Sequence, residues 1–297
     1  MRFLVLGAAA GGGLPQWNCG CPNCQDARSG KIAPSSQSSL AVSADGERWA
    51  ILNTSPDLRM QMQVARPLFP RTLRDTPLQS VLVTNGDIDH IAGLLSLREQ
   101  TPFTLFGTRE ILSLLSSNRV FDVMNPEKVT RHPLVIGEPF PLLPALQALV
   151  FPVPGKVPLF MEDTGSTIQT DLEGEQTVGV RLDDGKTVAY YIPGCARVTD
   201  GLLQQISDAD HLFFDGTLWQ DDEMIRSGTG IKTGQRMGHI SISGPEGSIE
   251  ALKELHCGKT FIHINNTNPV WQPDSAERAY VLAQGWTIAA DGMEITL

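Results

Sequence analysis

The chain has 297 residues, of which 41% are hydrophobic and 19% are charged, so it can bury a sizeable core. Its formal net charge of −10 predicts an acidic surface, which argues against nonspecific binding to nucleic-acid phosphates. No apolar run approaches the roughly 20 residues that a membrane-spanning helix needs, so stable membrane insertion is not expected. The apolar stretch at the N-terminus is short and is followed at once by a glycine-rich segment, which is not the pattern of a signal peptide. We therefore expect a soluble cytoplasmic protein.

The first half of the chain predicts short strands that alternate with helices. The predicted elements are a strand at 2–6, a glycine-rich turn at 7–13, a hairpin with strands at 37–43 and 48–53, and a helix from about Leu58. They continue with a buried strand at 81–83, a helix that starts near Ile91 and includes 94–99, a strand at 103–106 and a helix at 108–116. Asp45 and Gly46 mark the turn of the hairpin, because this dipeptide favours tight turns.

The second half begins with a segment that lacks a clear hydrophobic period. Residues 126–166 are rich in proline, which predicts loops and irregular strands. The elements predicted after it are a hairpin with strands at 176–182 and 186–192, helices at 199–207 and 247–255, and strands at 211–215 and 259–263. We find no internal repeat, low-complexity tract or linker, so a single domain spanning residues 1–297 is predicted.

Four residues of metal-ligand type follow short apolar strands. Asp89 and His90 follow the strand at 81–83, Asp215 ends the strand at 211–215, and His263 ends the strand at 259–263. Taken singly, Asp89 could cap a helix and Asp215 could belong to a turn. Ligands of sheet-based α/β folds gather beyond the carboxyl ends of strands, so we expect the four side chains to converge. Two imidazoles and two carboxylates would bind a metal and leave positions open for water, oxygen or substrate.

Three further cysteines predict a second metal site. They lie within six residues: Cys19, Cys21 and Cys24. Gly20 and Pro22 favour the tight loop that three thiolates around one tetrahedral ion require, and a reducing compartment favours metal over disulfides. We therefore predict a structural Zn²⁺ site. Its fourth ligand stays open between Cys195, Cys257, a water molecule and a shifted side chain.

Long motifs along nearly the whole chain carry a family resemblance. They are LGAAAGGGLPQWNC at 6–19, SPD at 55–57, IDH at 88–90, GLLSLRE at 93–99, DGTLWQDDEM at 215–224, MGH at 237–239, IHINNTNP at 262–269 and DGM at 291–293. With these motifs the chain closely resembles the coenzyme PQQ synthesis protein B family of the metallo-β-lactamase superfamily. The resemblance implies an α/β fold, a metallo-β-lactamase-like αββα four-layer sandwich of two mixed sheets faced by helices.

The metal loop departs from the superfamily pattern, which is His-x-His-x-Asp-His-x-x-Gly. Here Asn85 and Asp87 stand at the two leading histidines, while the Asp-His pair and the final glycine remain. In two-metal hydrolases of the superfamily those histidines hold the first metal, together with a histidine from the middle of the chain. Residues 133–210 contain no histidine, and nearby His132 is expected at the surface in a loop. The resemblance therefore implies a site for one metal.

The remaining ligands are similar to the non-heme Fe(II) group of two histidines and a carboxylate, so Fe²⁺ is favoured, with Zn²⁺ and Mn²⁺ left open. We predict that Asp89 and His90 belong to the catalytic centre together with His239. His239 lies near the position of a mobile catalytic histidine in related phosphodiesterases. It is expected to act as a general acid or base or to bind a substrate carboxylate; a structural role is the alternative.

The resemblance also bears on the cysteine site. A related phosphodiesterase family completes the same Cys-x-Cys-x-x-Cys loop with a histidine three residues after the C-terminal catalytic histidine. The matching residue here is Asn266, which is a poor zinc ligand. His263 could serve the cysteine site instead of the catalytic one.

The function implied by the resemblance is a step in pyrroloquinoline quinone (PQQ) biosynthesis. Family members are proposed to hydroxylate the tyrosine-derived ring of a peptide-derived Glu–Tyr precursor, using metal and O2. One alternative is a soluble carrier involved in transport of PQQ or its precursor to the periplasm. A second alternative is a zinc-dependent phosphodiesterase-type hydrolase. The partners expected are the small-molecule PQQ precursor, a second copy in a homodimer and other PQQ-pathway proteins, with no nucleic acid.

Overall fold

Two seven-stranded mixed sheets form the centre of the computed structural model, which describes residues 1–162 and 169–297. The first sheet contains β1 (Arg2–Gly7), β2 (Ser39–Ser43), β3 (Trp49–Leu52), β4 (Leu78–Leu82), β5 (Phe103–Thr108), β6 (Val129–Leu134) and β14 (Glu294–Thr296). The second contains β7 (Phe140–Leu143), β8 (Leu146–Pro152), β9 (Val178–Asp183), β10 (Val188–Ile192), β11 (His211–Asp215), β12 (Gly258–Ile262) and β13 (Trp286–Ile288). Strands β3 to β6 and β10 to β13 are parallel, and the other pairs are antiparallel.

Short helices connect the strands of the described residues. The α-helices are α1 (Pro22–Arg28), α2 (Leu58–Val64), α3 (Ile88–Ile91), α4 (Arg109–Ser117), α5 (Asp200–Gln205), α6 (Glu223–Arg226), α7 (Gly234–Met237), α8 (Ser248–Ala251) and α9 (Ala276–Ala283). Turns of 3₁₀-helix lie at Arg66–Leu68, Ala92–Leu97, Arg119–Val123, Leu159–Met161 and Pro269–Trp271. Within the described ranges, every helix is too short or too polar to cross a bilayer.

The first strand shows how the layers pack, because both of its faces are buried. Phe3 and Val5 belong to a core cluster that includes side chains of both sheets, and the rings of Phe3 and Phe213 lie 5.0 Å apart. Leu4 and Leu6 point to the opposite face and belong to a second cluster with residues of α2 and α4. Alternate residues of a strand face opposite sides, so β1 packs against a sheet on one side and helices on the other. The predicted αββα sandwich is confirmed. A single domain spanning residues 1–297 stays a prediction.

Most predicted elements are confirmed to within a few residues. The short helices α1, α6 and α7 are not predicted from the sequence, and there are three further differences. Segment 126–166 contains the regular strands β6, β7 and β8. Hydrogen-bonded pairing with neighbouring strands keeps these residues extended despite the prolines. Residues 163–166 of this segment lie outside the described part. The helix predicted from Ile91 begins at Ile88 and continues only as a 3₁₀ turn. The C-terminal elements α9, β13 and β14 are not predicted from the sequence, and their two strands have three residues each, too few to show an alternation.

Gly93 lets the loop after β4 approach the rest of the first sheet. Its N–H donates to the carbonyl oxygen of Thr54 over 2.9 Å, and the N–H of Thr54 donates to the carbonyl of His90 over 2.7 Å. A Cβ atom on Gly93 would overlap the Ser55 carbonyl oxygen and lie 2.9 Å from Leu58 Cβ. Only glycine therefore allows the close contact that fixes the backbone of the Asp-His segment.

We expect Gly93→Ala to lower the free energy of unfolding by about 2 kcal/mol or more, since the added methyl group overpacks a contact with rigid backbone. Chemical denaturation followed by circular dichroism measures this change. Gly201→Ala is the matched control, because Gly201 lies in α5 and an added Cβ would lie 3.8 Å from Thr199 Oγ1, an ordinary contact distance. Alanine there should be neutral or stabilising. Equal stability changes in the two variants would contradict the role given to Gly93.

Candidate metal centre

The residues predicted to bind a catalytic metal lie at the ends of strands from both sheets. Asp89 and His90 follow β4 and lie on α3. Asp215 is the last residue of β11, and His263 comes directly after β12. Strands β11 and β12 are parallel neighbours, so their carboxyl ends lie side by side. The chain thus delivers these side chains to one end of the sandwich.

Asp89, His90 and His263 form the first group that could hold a metal ion. Each offers one ligand atom, and these atoms lie within 4.8 Å of one another. Asp89 Oδ2 is 3.0 Å from His263 Nε2 and 4.0 Å from His90 Nε2. The rings of the two histidines meet edge-on with centroids 5.3 Å apart. Two imidazoles and one carboxylate are the ligand set of non-heme Fe(II) sites with open positions.

Asp215 and His239 form a second group with His263, so His263 belongs to both groups. Asp215 Oδ2 lies 2.7 Å from His239 Nδ1 and accepts the backbone N–H of Cys195 over 2.9 Å. The rings of His239 and His263 are stacked, with centroids 5.2 Å apart. The structure therefore brings the four residues predicted as ligands into one cluster, with the predicted acid–base residue His239 inside it.

Thr217 connects this cluster, although the sequence indicates no role for it. Its hydroxyl oxygen lies 2.6 Å from Asp215 Oδ1, 2.9 Å from His263 Nδ1 and 3.1 Å from His239 Nδ1. The Asp215 carboxylate and the His263 carbonyl oxygen, which lies 2.9 Å away, can only accept. The hydroxyl donates its one proton to Asp215, the nearer and charged acceptor, and offers its lone pairs to the imidazole N–H groups. Thr217 therefore holds His263 with Nε2 turned towards Asp89. A threonine two residues after an aspartate is a common pattern, so the sequence alone could not identify the role of Thr217.

The three clustered cysteines form a third group that could hold an ion. The thiol sulfurs of Cys19, Cys21 and Cys24 lie within 4.8 Å of one another. The side-chain amide nitrogen of Asn266 lies 3.2, 3.5 and 3.3 Å from these sulfurs, in the same order. None of the five cysteines, all of which lie in the described ranges, forms a disulfide. Asn266 thus occupies the side of the group at which a fourth ligand would stand.

The alternatives for that fourth position have other neighbours. The thiol of Cys195 donates to the carbonyl oxygen of Arg197 over 3.1 Å and lies beside Asp215. Cys257 precedes β12 and is not part of the group. His263 is turned towards Asp89 rather than towards the cysteines. Among the candidate residues, the side chain that faces the three sulfurs is therefore that of Asn266.

Comparisons with known proteins show the family of this chain. A model of the beta-lactamase superfamily domain matches residues 48–264. The chain is 66% identical to coenzyme PQQ synthesis protein B of Ruegeria pomeroyi, over 100% of both proteins. The chain belongs to the coenzyme PQQ synthesis protein B family. Another family member, from Rhizobium meliloti, is 54% identical over 100% of this chain and 98% of that protein.

Solved structures extend the likeness of this PQQ synthesis protein B family member to three dimensions. The structure of Zn(2+)-bound PqqB from Methylobacterium extorquens matches with a TM-score of 0.98 and 51% identity, over 100% of both chains. A diphosphatase from the PhnP family matches with a TM-score of 0.69 and 20% identity, over 100% of this chain and 97% of that one. At that identity the second likeness shows the shared fold alone.

The chemistry of the first group suits a divalent metal ion. His90 Nε2 is buried, and no described residue hydrogen-bonds to it. A buried nitrogen without a partner costs free energy unless an ion or water contacts it. Burial lowers the pKa of His90 to about 4, so its ring is neutral at pH 7, as a metal ligand must be. Burial disfavours the charged form of Asp89, but His90 and His263 hold the pKa of that carboxyl well below its usual range.

Asp89 also changes the pKa of His263, the histidine that belongs to both groups. Burial disfavours a charged His263, yet its hydrogen bond to Asp89 and the charge of Asp89 outweigh this effect and raise the pKa of the imidazole. The pKa of Asp215 is lowered although the carboxyl is buried, because His239 and His263 supply opposite charge and Thr217 donates a hydrogen bond. The cluster therefore keeps two anionic carboxylates at neutral pH, which is the charge that a divalent cation requires.

The positions that depart from the superfamily loop contribute to none of the three groups found in the described residues. Asn85 and Asp87 lie beside Asp89 and His90 without joining them as part of a metal group. His132 is exposed, as predicted, but it lies on β6 rather than in a loop. Pairing of β6 with β5 draws the residue before a proline into a regular strand at the edge of the sheet. Positions 85, 87 and 132 therefore add no histidine to the metal centre.

A buried carboxyl group supports the loop that follows His263. Glu223 begins α6, and its carboxylate accepts the N–H of Trp219 over 2.6 Å and the hydroxyl of Thr267 over 2.5 Å. Burial raises the pKa of Glu223 to about 7 from an ordinary value of 4.5. An acid whose pKa is raised binds its proton more tightly in the folded state. Its contribution to stability is therefore lost as the pH rises from about 4.5 to about 7.

We expect Glu223→Gln to remove this pH dependence, since glutamine keeps the shape without the ionisable group. Relative to the wild type at equal metal content, the variant should gain up to about 3 kcal/mol in unfolding free energy between pH 4.5 and pH 8. Urea unfolding at several pH values measures the difference. Glu246→Gln, at an exposed position, serves as the control. A difference between wild type and variant that is constant with pH would contradict the buried, proton-binding role.

Proposed function

We propose that this chain acts in PQQ biosynthesis and hydroxylates the tyrosine-derived ring of a peptide-derived Glu–Tyr precursor, using a metal ion and O2. Membership of the coenzyme PQQ synthesis protein B family supports the pathway. The observation that carries the chemistry is the group of Asp89, His90 and His263, whose ligand atoms lie within 4.8 Å of one another. Fe(II) in such a set supplies oxygen activation, which is why we favour Fe²⁺ over Zn²⁺ or Mn²⁺.

The proposed reaction replaces a ring C–H bond by a C–OH bond. One atom of O2 enters the ring and the other leaves as water, so the step consumes two electrons and two protons from a two-electron donor such as ascorbate. His239 is suited to move a proton near the substrate, because Asp215 lies 2.7 Å from its Nδ1 and leaves Nε2 for that exchange. Asp215 is predicted from the sequence as a metal ligand, but its Oδ2 contacts His239 Nδ1 and the N–H of Cys195. We therefore propose that Asp215 and Thr217 are positioning residues that hold the His239 ring.

The zinc phosphodiesterase is the weaker alternative. A hydrolase of that kind uses two metals to stabilise both the attacking and the leaving oxygen. Asn85 and Asp87 stand at the two leading histidines of the superfamily loop, and the exposed His132 lies on β6. The carrier alternative would use the same cluster to bind PQQ or its precursor without turnover. Cytoplasmic location, a homodimer and contacts with other PQQ-pathway proteins stay predictions.

We also propose that Cys19, Cys21 and Cys24 hold a structural zinc ion. The related protein from Methylobacterium extorquens is Zn(2+)-bound, and three thiols in a tight loop suit this metal. Burial raises the pKa of Cys21 to about 11, so a bound cation would be needed to keep its sulfur as a thiolate at neutral pH. The Asn266 carboxamide nitrogen points towards the sulfurs, so the side chain would turn its oxygen, or a water molecule that it orients, to a bound ion to complete the site.

Replacing Asn266 tests this zinc assignment. We expect Asn266→His to retain zinc against a chromophoric chelator on the order of tenfold better, and Asn266→Ala about tenfold worse, because imidazole is the better zinc ligand. Asn118→Ala, at an exposed position before the 3₁₀ turn, serves as the control. Zinc retention that is the same in all three variants would show that Asn266 does not face the ion.

The function is tested with apoprotein that is loaded anaerobically with Fe(II), Mn(II) or Zn(II). The cross-linked Glu–Tyr diamino acid and ascorbate are added, isotopically labelled O2 is admitted, and products are identified by mass spectrometry. We expect a hydroxylated product that carries one labelled oxygen atom, formed with iron. Absence of product with iron would overturn the hydroxylase proposal. Turnover of a chromogenic phosphodiester with zinc would support the hydrolase, and tight binding of PQQ without turnover would support the carrier.

Metal analysis of two variants, Asp89→Ala and His263→Ala, accompanies that assay. Asp89→Ala should lower metal affinity at the catalytic centre by more than about 100-fold, since loss of even an outer partner costs 10- to 100-fold, while zinc at the cysteines is retained. Asp122→Ala, on the exposed turn before Val123, is the matched control. The same measurement on His263→Ala reports which site this histidine serves. Loss of both metals from His263→Ala would assign it to the cysteine site.

A further inference from the structure

Asn85 stands at the first histidine of the superfamily loop, and its side chain has a distinct set of contacts. The residue is buried, and its backbone forms an isolated bridge with Thr177. The side-chain oxygen Oδ1 accepts the backbone N–H of Asp87 over 3.0 Å. The same oxygen lies 2.8 Å from Nδ1 of His90. One carboxamide oxygen thus contacts both the turn of the loop and a residue that we propose as a metal ligand.

These two contacts determine which nitrogen of His90 carries the proton. The backbone N–H of Asp87 can only donate, so the oxygen of the Asn85 carboxamide must face it rather than the NH2 group. An oxygen in that position can only accept from the nearby His90 Nδ1. Nδ1 is therefore protonated, and Nε2 of the neutral ring is left with a bare lone pair. This agrees with the burial of Nε2 and with its lack of a hydrogen-bond partner among the described residues.

The lone pair is directed at the other members of the first metal group. His90 Nε2 lies 4.0 Å from Asp89 Oδ2, which in turn lies 3.0 Å from His263 Nε2. The Thr217 hydroxyl, 2.9 Å from Nδ1 of His263, orients the second imidazole in the same way. Metal-bound histidines commonly donate their second ring N–H to an outer acceptor, which fixes the tautomer and raises the basicity of the ligating nitrogen.

We propose that Asn85 is a positioning residue that holds His90 in its metal-binding tautomer, in place of the metal ligand that the superfamily loop has at this position. The proposal rests on the metal site proposed above and is independent of the reaction catalysed there. A histidine at position 85 could bind a first metal, whereas the asparagine gives its oxygen to the ligand of the second. The change at Asn85 thus removes one metal and strengthens the site for the other.

Two substitutions test whether His90 depends on the hydrogen-bond acceptor of Asn85 or only on the shape of the Asn85 side chain. Asn85→Leu has nearly the same size but accepts no hydrogen bond, so the His90 ring loses the contact that selects its tautomer. Asn85→Asp keeps an oxygen beside both donors and should act as the conservative rescue. We expect Asn85→Leu to weaken Co(II) binding at the catalytic centre by about 10- to 100-fold, and Asn85→Asp to bind within a few-fold of the wild type. Chelator competition, with the visible spectrum of Co(II) as the readout, measures both on the full-length protein with its cysteines loaded with zinc.

A second measurement uses the wild type and so does not depend on the folding of any variant. The protein is labelled with ¹⁵N-histidine, and the ring nitrogens of His90 are assigned by comparison with His90→Gln. We expect the Nδ1–H tautomer in the metal-free protein and binding of Zn(II) through Nε2. An Nε2–H tautomer in the metal-free wild type, or undiminished Co(II) affinity in folded Asn85→Leu, would overturn the proposal. Because both readouts are metal binding and tautomer, a failed hydroxylation assay leaves them unaffected.

Discussion

The organisation of the site depends on Asp215, a carboxylate with 0% exposure. A buried charge is tolerated only when hydrogen bonds and opposite charges compensate its lost hydration. Asp215 accepts bonds from the backbone of Cys195, from the backbone and hydroxyl of Thr217, and from His239. Each of these donors is thereby held in place. Thr217 then orients His263, so the requirement to satisfy one buried anion extends to the residues proposed to bind the metal.

The same principle applies to the loop that has Asn85 and Asp87 in place of two histidines and is proposed to hold a metal. The buried His90 needs a hydrogen-bond acceptor at Nδ1 to fix its tautomer. The Asn85 oxygen supplies the acceptor, and the backbone of Asp87 keeps that oxygen in place. The proposed single-metal centre is therefore an alternative hydrogen-bonding arrangement of the loop. The cysteine group is built differently, because Asn266 approaches all three sulfurs from a loop far away in sequence.

Much of the fold could be predicted from local patterns. Strands such as 211–215 and 259–263 are short apolar runs between polar turns. The first ends at Asp215 as predicted, and the second ends at Ile262, one residue before the predicted end. The prediction was incomplete where local signals are weak. The prolines of segment 126–166 led to a prediction of loops and irregular strands. Strands β13 and β14 are too short to show a hydrophobic alternation. Pairing with a neighbouring strand, which no local pattern contains, stabilises these elements.

The sequence by itself determined the chemical inventory of the site: Asp89 beside His90, strand-terminal Asp215 and His263, and three cysteines in a tight loop. These follow from residue type and spacing, which are properties of the chain alone. Only the tertiary structure decided that His263 joins both histidine groups, that Thr217 links them, and that Asn266 faces the cysteines. Those relations depend on side-chain direction across segments that are distant in sequence, and packing of the two sheets is what brings the segments within hydrogen-bonding distance.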